Sequence, residues 1–264
     1  MRKIAIYCVN YHSYNSLKNY LESIEVAAKT AKEEVMLSVF VADNTTPVSA
    51  IDYDPLHFTL LVLPTGQNMG YFGAIRFIMQ KHNPKVFDYI IISNVDILMQ
   101  PDTFKLLNCY QTTEDTGWIV PAIISQNNGE DLCPQATHRY SLNKLRLLWL
   151  TFRCPYIHRI YAKTFYKHKA NTKAQAGIIY AGHGSCIILT REYFNRCGII
   201  NYPIFLYEEE IYIAEECRTH GLKVIYEPSI TVHDIGRVST GKTNWKENYL
   251  WHAQGLDFII KNYY

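Results

Sequence analysis

The first hundred residues alternate short apolar runs with segments of helical spacing, and this alternation constrains the fold more than any other feature. Apolar runs suited to buried strands cover residues 3–9, 35–42, 58–63 and 89–93. Between them, apolar residues recur at helical intervals over 13–32 and 70–82. Strands that alternate with helices predict an α/β fold with a Rossmann-like, mostly parallel sheet flanked by helices.

The second half of the chain is less regular but carries the same two kinds of segment. We predict strands over 118–125, over 178–189 and over 223–233, where Pro228 divides the run into one or two strands. We predict helices from Pro101-Asp102 onward, over 208–220 and over 244–261. Because no repeat or linker separates the halves, we expect a single domain over 1–264.

Charge is distributed unevenly, although the net charge is only +2. This small total predicts no nucleic acid partner. From Leu132 to Arg191 there is no acidic residue, and ten basic residues lie in that stretch. We therefore predict a basic helical insert over about 134–175. Its aromatic and aliphatic residues predict contact with an anionic membrane surface between Arg139 and Lys173, and a folded, solvated insert is the alternative.

Cysteine usage and hydropathy predict the cellular compartment. The seven cysteines are odd in number, widely spaced and free of any CxxC pair, so neither a disulfide framework nor a structural zinc site is indicated. The apolar run after the first three residues is too short for a signal peptide, and no run approaches the roughly 18 to 20 residues that cross a bilayer. We expect a cytoplasmic protein whose membrane contact, if present, is peripheral.

Polar residues follow the predicted strands of the first half. They are Asn10, Asp43, Gln67-Asn68 and Asn94-Val95-Asp96. Open α/β sheets bind ligands beyond the carboxyl ends of their strands, so these side chains are predicted to lie at one ligand site. Asp96 is a candidate ligand for a divalent cation, because hard cations prefer oxygen ligands. An aspartate that only opens a turn is the alternative.

Three adjacent carboxylates, Glu208, Glu209 and Glu210, follow an aromatic segment at the start of a predicted helix. Acidic residues favour a helix N-terminus through the helix dipole, which is the simpler interpretation. An apolar wall beside one of them would raise its pKa toward the range of a general base. His233, at the end of another strand, is a candidate ligand or a hydrogen-bonded structural residue.

The segment from Gly236 to Thr243 fits the phosphate-loop pattern GxxxxGK[ST]. A true phosphate loop follows an early strand and needs further strands after it, yet only 21 residues follow Thr243. We therefore exclude a nucleoside triphosphatase. Arg237 and Lys242 remain candidates for contacts with phosphate through charge.

Taken in order, these segments resemble the inverting family-2 glycosyltransferases of the GT-A fold, particularly the bacterial rhamnosyltransferase-like members that build cell-surface polysaccharide. The resemblance covers most of the chain and rests on these motifs: Val9-Asn10-Tyr11, Val41 to Asn44, Asn68 to Ala74, Asn94-Val95-Asp96, Gly182 to Phe194, Tyr207 to Glu210 with Arg218 and Gly221, and Pro228 to His233. Two positions depart from the family pattern, since Asn94 replaces the first aspartate of DxD and Glu210 replaces the usual second aspartate.

The resemblance implies a role for each matched residue. Residues 1–100 would bind a nucleotide-diphosphate sugar, and residues 101–264 would bind a glycan or polyprenyl-linked glycan acceptor. Asp96, assisted by His233, would hold Mn²⁺ or Mg²⁺, and Glu210 or Glu209 would act as the base for inversion. The implied nucleotide-sugar-binding residues are Val9, Asn10, Tyr11, Asp43, Asn68, Gly73, Arg76, Asn94, Arg237 and Lys242.

Two other functions compete with this interpretation. A sugar nucleotidyltransferase also uses an α/β sheet, but such enzymes have a glycine-rich loop ending in Arg or Lys after the first strand, where this chain has Asn10 to Ser13. A catalytically silent sugar-nucleotide-binding or scaffold protein would explain Asn94 and the altered acidic pair. Metal-dependent transfer or hydrolysis of a nucleotide sugar separates an enzyme from a scaffold.

Overall fold

The computed structural model describes residues 1–49, 51–154, 156–157, 174–236 and 244–264. The strands in this part of the chain are β1 (Arg2–Asn10), β2 (Val35–Asp43), β3 (Thr59–Pro64), β4 (Tyr89–Asn94), β5 (Ile97–Met99), β6 (Thr116–Ser125), β7 (Gly177–Ile179), β8 (Cys186–Thr190) and β9 (Lys223–Asp234). The α-helices are α1 (Tyr14–Ala31), α2 (Tyr71–Lys81), α3 (Thr103–Cys109), α4 (Leu142–Arg153), α5 (Arg191–Arg196), α6 (Glu209–Thr219) and α7 (Trp245–Tyr263). Short 3-10 helices cover Lys32–Glu34 and Pro84–Val86.

All nine described strands form one sheet in the order β3-β2-β1-β4-β8-β6-β9-β5, and β7 pairs with β9 as well. Strands β1 to β4 pair with one another in parallel, as the sequence predicts. Strand β8 runs antiparallel to both β4 and β6, while β6 and β9 are again parallel. The carboxyl ends of β1, β2 and β4 therefore meet at one edge, where the predicted ligand site lies.

The parallel strands form because their side chains are apolar on both faces. Residues Ile4 to Cys8 of β1 are fully buried, as is most of β4. Helix α1 covers one face with Leu17, Tyr20 and Ile24, which recur at helical spacing and are also buried. Both predicted helices of the first half, α1 and α2, are confirmed.

Two strand predictions in the second half change in detail. The run 178–189 is not one strand, because residues 180–185 leave the sheet and separate β7, which pairs with β9, from β8, which pairs with β4. Gly182 lies against β6 at this crossing, where a Cβ would stand 2.5 Å from a methyl group of Val120. Strand β9 continues through Pro228 with a shift in register, since Pro121 pairs with Glu227 but Ala122 pairs with Thr231.

Helices α4 and α7 pack against each other in opposite directions. Phe152, at the end of α4, contacts the rings of Tyr249 and His252 in the first half of α7. Before the start of α4, the carbonyl of Tyr140 accepts a hydrogen bond from the hydroxyl of Tyr264 at 2.7 Å. Helical structure in the basic insert is thus confirmed for α4. Across the residues described, no helix combines the length and apolar character needed to cross a membrane.

Candidate active site

The carboxyl ends of β1 and β2 carry a fully buried pair, Asn10 and Asp43, which are opposite each other in the parallel register. The amide Nδ2 of Asn10 donates to Asp43 Oδ1 at 3.0 Å. The other oxygen of Asp43 accepts from the hydroxyl of Tyr14 at 2.8 Å. These bonds fix the carboxylate at the sheet edge. Val9 is half-buried beside the pair, and Tyr11 is exposed at the start of the following loop.

The loop between β3 and α2 is attached to this pair through Asn44. Its Nδ2 donates to Asn68 Oδ1 at 3.1 Å and to the carbonyl of Gly70 at 3.0 Å. Gly70 has φ +72°, and a Cβ there would stand 2.2 Å from the carbonyl oxygen of Phe205. The amide of Tyr71 donates to that same oxygen at 3.1 Å. Only glycine permits this approach, which brings residues 68–71 against the segment that precedes α6.

Two other residues that the resemblance assigns to the nucleotide sugar lie further along α2. Arg76 donates from Nη1 to Asn201 Oδ1 at 3.0 Å. Gly73 faces Met69, whose Cβ would be 3.4 Å from a Cβ on the glycine. Neither residue joins the hydrogen-bond network of Asn10, Asp43 and Asn44.

Asp96 and His233 lie on neighbouring segments of the sheet. The amide of Ile235 donates to the carbonyl of Asp96 at 3.0 Å, and Leu98 pairs with His233 in the antiparallel ladder of β5 and β9. Asp96 therefore lies in the turn two residues before the strand position opposite His233. Asp96 is 7% exposed and His233 is half-buried. A carboxylate and an imidazole in this arrangement suit a divalent cation such as Mn²⁺.

Asn94 ends β4, where its amide donates to the carbonyl of Ser185 at 3.0 Å. This bond brings the Asn94 to Asp96 turn next to the segment 183–185. Gly184 in that segment also contacts the acidic helix, because Glu210 Oε2 lies 3.3 Å from the position of a Cβ on Gly184. The structure therefore brings two predicted sets, the DxD-like turn and the acidic residues, to either side of one short segment.

The pKa values of Glu209 and Glu210 are raised. Glu209 is 6% exposed, and its Oε1 accepts from the amide of Tyr207 at 2.9 Å. Burial, followed by the charge of Glu210, raises the pKa of Glu209 to about 8. Burial, followed by the charge of Glu208, raises the pKa of Glu210 to about 7. Carboxyl groups poised in this range can accept a proton from a substrate near neutral pH.

Tyr71 is a buried residue next to Gly184 that the predicted site residues do not include. Its hydroxyl donates to the carbonyl of Gly184 at 3.4 Å. Burial raises its pKa, and the charges of Glu209 and Asp96 raise it further, so both carboxylates lie within electrostatic reach of this hydroxyl. The only sequence signal was its place in the run from Asn68 to Ala74.

His252 of α7 is a second residue that the sequence analysis missed. Its Nδ1 lies 2.8 Å from Glu208 Oε1. Its ring stacks on Tyr207 with centroids 3.8 Å apart and on Phe152 with centroids 4.2 Å apart. No motif in the sequence marks this histidine, because 44 residues separate it from Glu208.

Arg139 has a different environment from the one predicted for the basic insert. Its Nε donates to the fully buried carboxylate of Glu215 at 2.7 Å, and Arg218 donates to the same group at 2.7 Å. Burial alone would raise the pKa of Glu215, but the bonds from Arg139, Arg218 and Tyr180 lower it overall. Arg139 thus neutralises a buried carboxylate, and we remove it from the basic surface predicted for membrane contact.

Several predicted residues lie outside the described part of the chain. They include the phosphate-contact candidates Arg237 and Lys242. The same holds for five basic residues of the insert, which are Arg159, Lys163, Lys167, Lys169 and Lys173.

Comparison with solved structures identifies the fold. Solved glycosyltransferase structures match the chain: S. aureus TarS 1-349 (TM-score 0.56, 9% identity, 88% of this chain), GalNAc-T7 with UDP, GalNAc and Mn²⁺ (0.60, 14%, 96%), and the mannosyltransferase PcManGT from Pyrobaculum calidifontis with GDP-Man and Mn²⁺ (0.58, 13%, 97%). The chain spans 60%, 48% and 62% of those chains, respectively. The chain has the GT-A fold, as the sequence predicts.

One known protein is similar to the chain in sequence. An N-acetylglucosaminyl-diphospho-decaprenol L-rhamnosyltransferase of Mycobacterium tuberculosis is 26% identical over 252 residues, which cover 90% of this chain and 78% of that protein. No protein-family model matches the chain. The chain is thus similar to glycosyltransferases in fold and, at 26% identity, to a rhamnosyltransferase in sequence.

Proposed function

We propose that the chain transfers a sugar from a nucleotide-diphosphate sugar to a lipid-linked glycan with inversion, and that Glu210 is the general base. The observation that carries this proposal is the position of the Glu210 carboxylate, which is half-buried beside Gly184, where burial and the charge of Glu208 raise its pKa to about 7. A base on the acceptor side of the donor sugar allows a single displacement, which inverts the anomeric centre.

The neighbouring Glu209 fits a structural role better. Its carboxylate accepts from the amide of Tyr207 and is more buried than that of Glu210. A carboxylate that closes the turn before α6 is less available to an acceptor hydroxyl. We therefore assign the proton transfer to Glu210 and the shape of the turn to Glu209.

For the donor, we propose that Asn10, Asp43 and Asn68 frame the nucleotide and that Asp96, with His233, holds Mn²⁺ or Mg²⁺. Asn94, Val9 and Tyr11 lie at the same edge of the sheet and are proposed to contact the donor. Gly73 and Arg76 remain predicted donor contacts on α2. A bound cation would neutralise the charge that develops on the leaving diphosphate. The bound Mn²⁺ of GalNAc-T7 and PcManGT supports this assignment.

The acceptor proposal rests on the mycobacterial relative, whose name specifies a GlcNAc-diphospho-decaprenol substrate. A lipid-linked acceptor requires the site to approach a membrane. Exposed apolar residues on and after α4 support such an approach, among them Leu147, Leu150 and Tyr156, the last 77% exposed. Exposed Arg146 and Arg153 lie beside them and favour an anionic surface. We propose peripheral contact at the cytoplasmic face.

A transfer assay tests this function. The purified chain is incubated with a panel of nucleotide sugars, with and without Mn²⁺, and with a short-chain prenyl diphosphate that carries GlcNAc. We expect metal-dependent transfer, and NMR of the product should show the anomeric configuration opposite to that of the donor. Donor binding by thermal shift without transfer or hydrolysis would instead support a silent binding protein.

Vesicle co-sedimentation tests the membrane contact separately. We expect binding to anionic vesicles that decreases with salt, and weaker binding of a Leu147→Ser, Leu150→Ser double variant. The matched control is Leu56→Ser, because Leu56 is 85% exposed but lies outside α4. Absence of binding at low salt would contradict the membrane contact and favour a folded insert that frames a soluble acceptor.

A further inference from the structure

The turn before α6 has a backbone conformation that non-glycine residues rarely adopt. Tyr207 has φ +77° and Glu208 has φ +65°, so two consecutive residues with side chains lie in the left-handed region. Such conformations persist only where surrounding groups hold them, and they cluster at functional sites. The residues that follow are Glu209 and Glu210.

Helix α7 supplies the groups that hold this turn. His252 contacts the Glu208 carboxylate through Nδ1, and its ring lies stacked between Tyr207 and Phe152. One turn further along α7, Gly255 lies so close that a Cβ would stand 2.8 Å from Cγ of Glu208. The hydroxyl of Tyr202 completes the set by donating to the carbonyl of Tyr207 at 2.9 Å.

The position of Glu208 determines where α6 begins. Its carbonyl accepts from the amide of Tyr212 at 3.0 Å, which closes the first turn of the helix. Glu209 and Glu210 are in that turn, so a displacement of Glu208 also displaces both carboxylates. The charge of Glu208 additionally raises the pKa of Glu210, which gives the pair an electrostatic link.

We propose that His252 is a positioning residue for the general base, and that it acts through Glu208 to fix the orientation of Glu210 toward the acceptor hydroxyl. This inference rests on the proposed function. The helix α7 thereby becomes part of the catalytic apparatus, although it follows every motif of the resemblance in the sequence. The titratable groups around Glu208 come from three elements. His252 contacts it from α7, and the hydroxyl of Tyr202 lies near it in the preceding loop. The carboxylates of Glu209 and Glu210 follow it at the start of α6.

The test separates the hydrogen bond from the stacking. His252→Phe retains a ring between Phe152 and Tyr207 but removes the donor to Glu208. We expect kcat to fall by about 10- to 100-fold, because small displacements of a reacting group are costly, while the KM for the nucleotide sugar and Tm stay unchanged. His252→Gln, which keeps a donor, should recover part of the activity. The matched control is Gln254→Ala, an exposed position on the same helix, with wild-type kinetics.

A double-mutant cycle shows whether His252 acts through Glu208. We expect Glu208→Gln to move the acid limb of the kcat profile to lower pH, because it removes a charge that raises the pKa of Glu210. Adding His252→Phe to Glu208→Ala should cause little further loss of kcat, since either change alone removes the contact between the two side chains. Additive losses, or a wild-type kcat in His252→Phe, would overturn the proposal.

Hydrogen exchange provides a readout that does not depend on catalysis. We expect the amide of Tyr212 to exchange faster in His252→Ala than in wild type, because the first turn of α6 loses its support. Unchanged exchange would show that α7 does not hold the turn. If Glu210→Gln retains full turnover, the proposed base is wrong, and the exchange result still decides whether His252 holds the turn.

Discussion

Buried acidic groups lie in two regions of the molecule, at the carboxyl ends of β1 and β2 and at the start of α6. The surroundings of these groups differ between the two regions. Asp43 receives hydrogen bonds from Asn10, Tyr14 and Thr45, all close to the ends of adjacent parallel strands. Glu209 is buried and Glu210 is half-buried beside other carboxylates, and the pKa values of both rise. The first arrangement holds a carboxylate in one position through hydrogen bonds, and the second raises the pKa of two carboxyl groups toward neutrality.

This difference suits two separate roles in the site, donor binding and proton transfer. A fully hydrogen-bonded carboxylate suits a binding frame, because its partners fix its geometry. A carboxylate with a raised pKa suits proton transfer, because both of its forms are populated near neutrality. The two regions meet where Gly70 and Tyr71 contact Phe205. We expect substitutions in the first region to change donor binding and those in the second to change turnover.

The largest effect is expected on the donor side of the site. Asp96→Ala should lower transfer by about 10³-fold or more, because a bound cation contributes several kcal/mol to stabilising the leaving group. It should also remove the metal dependence of nucleotide binding, while circular dichroism shows a folded protein. The control is Asp102→Asn, an exposed aspartate before α3. Manganese-dependent binding retained in Asp96→Ala would contradict the metal assignment.

The acidic helix should respond in turnover and not in binding. Glu210→Gln is expected to lower kcat by roughly 10² to 10⁴, the usual contribution of a general base, with the donor Kd nearly unchanged. Glu209→Gln retains an oxygen for the amide of Tyr207 and should lose less. Steady-state kinetics and calorimetric donor binding measure both quantities. If Glu209→Gln shows the larger loss, the base lies one residue earlier.

Gly70→Ala should disrupt the contact between the two regions. The left-handed φ and the 2.2 Å approach to the carbonyl of Phe205 leave no space for a methyl group, so the backbone must move. We expect a loss of about 1 to 3 kcal/mol in the free energy of unfolding, together with weaker donor binding and a lower kcat. Gly66→Ala is the control, since Gly66 also has positive φ but has open space around it. Denaturant unfolding measures the two variants, and equal losses would refute the packing argument.

The stability of the fold should also depend on pH. The pKa values of Glu209 and Glu210 rise from the usual 4.5 to about 8 and 7, so the folded state binds more protons than the unfolded chain in that window. The free energy of unfolding should therefore fall as pH rises from about 5 to 8. Glu209→Gln cannot titrate and should flatten this slope in Tm measurements across the window. An unchanged slope would mean that Glu209 titrates normally.

Much of the fold follows from local patterns in the sequence. The apolar runs of β1, β2 and β4 and the helical spacing of α1 and α2 are each contained in short segments, so their burial can be predicted directly. The α/β class, the sheet edge that carries Asn10, Asp43 and Asn94, and the acidic start of α6 follow from those segments. Strand β5 was not predicted, because three residues are too few to show a period.

The sequence by itself thus determined which segments form strands and helices and which polar groups lie at their ends. Only the tertiary structure decided the partners of those groups, because a side chain's partner depends on packing between segments that are distant in the chain. Glu208 meets His252 across 44 residues, and Arg139 meets Glu215 across 76. The contact between Gly70 and Phe205 also joins two segments that are distant in the chain. No local periodicity encodes such contacts, since each requires the whole sheet to place two helices or loops side by side.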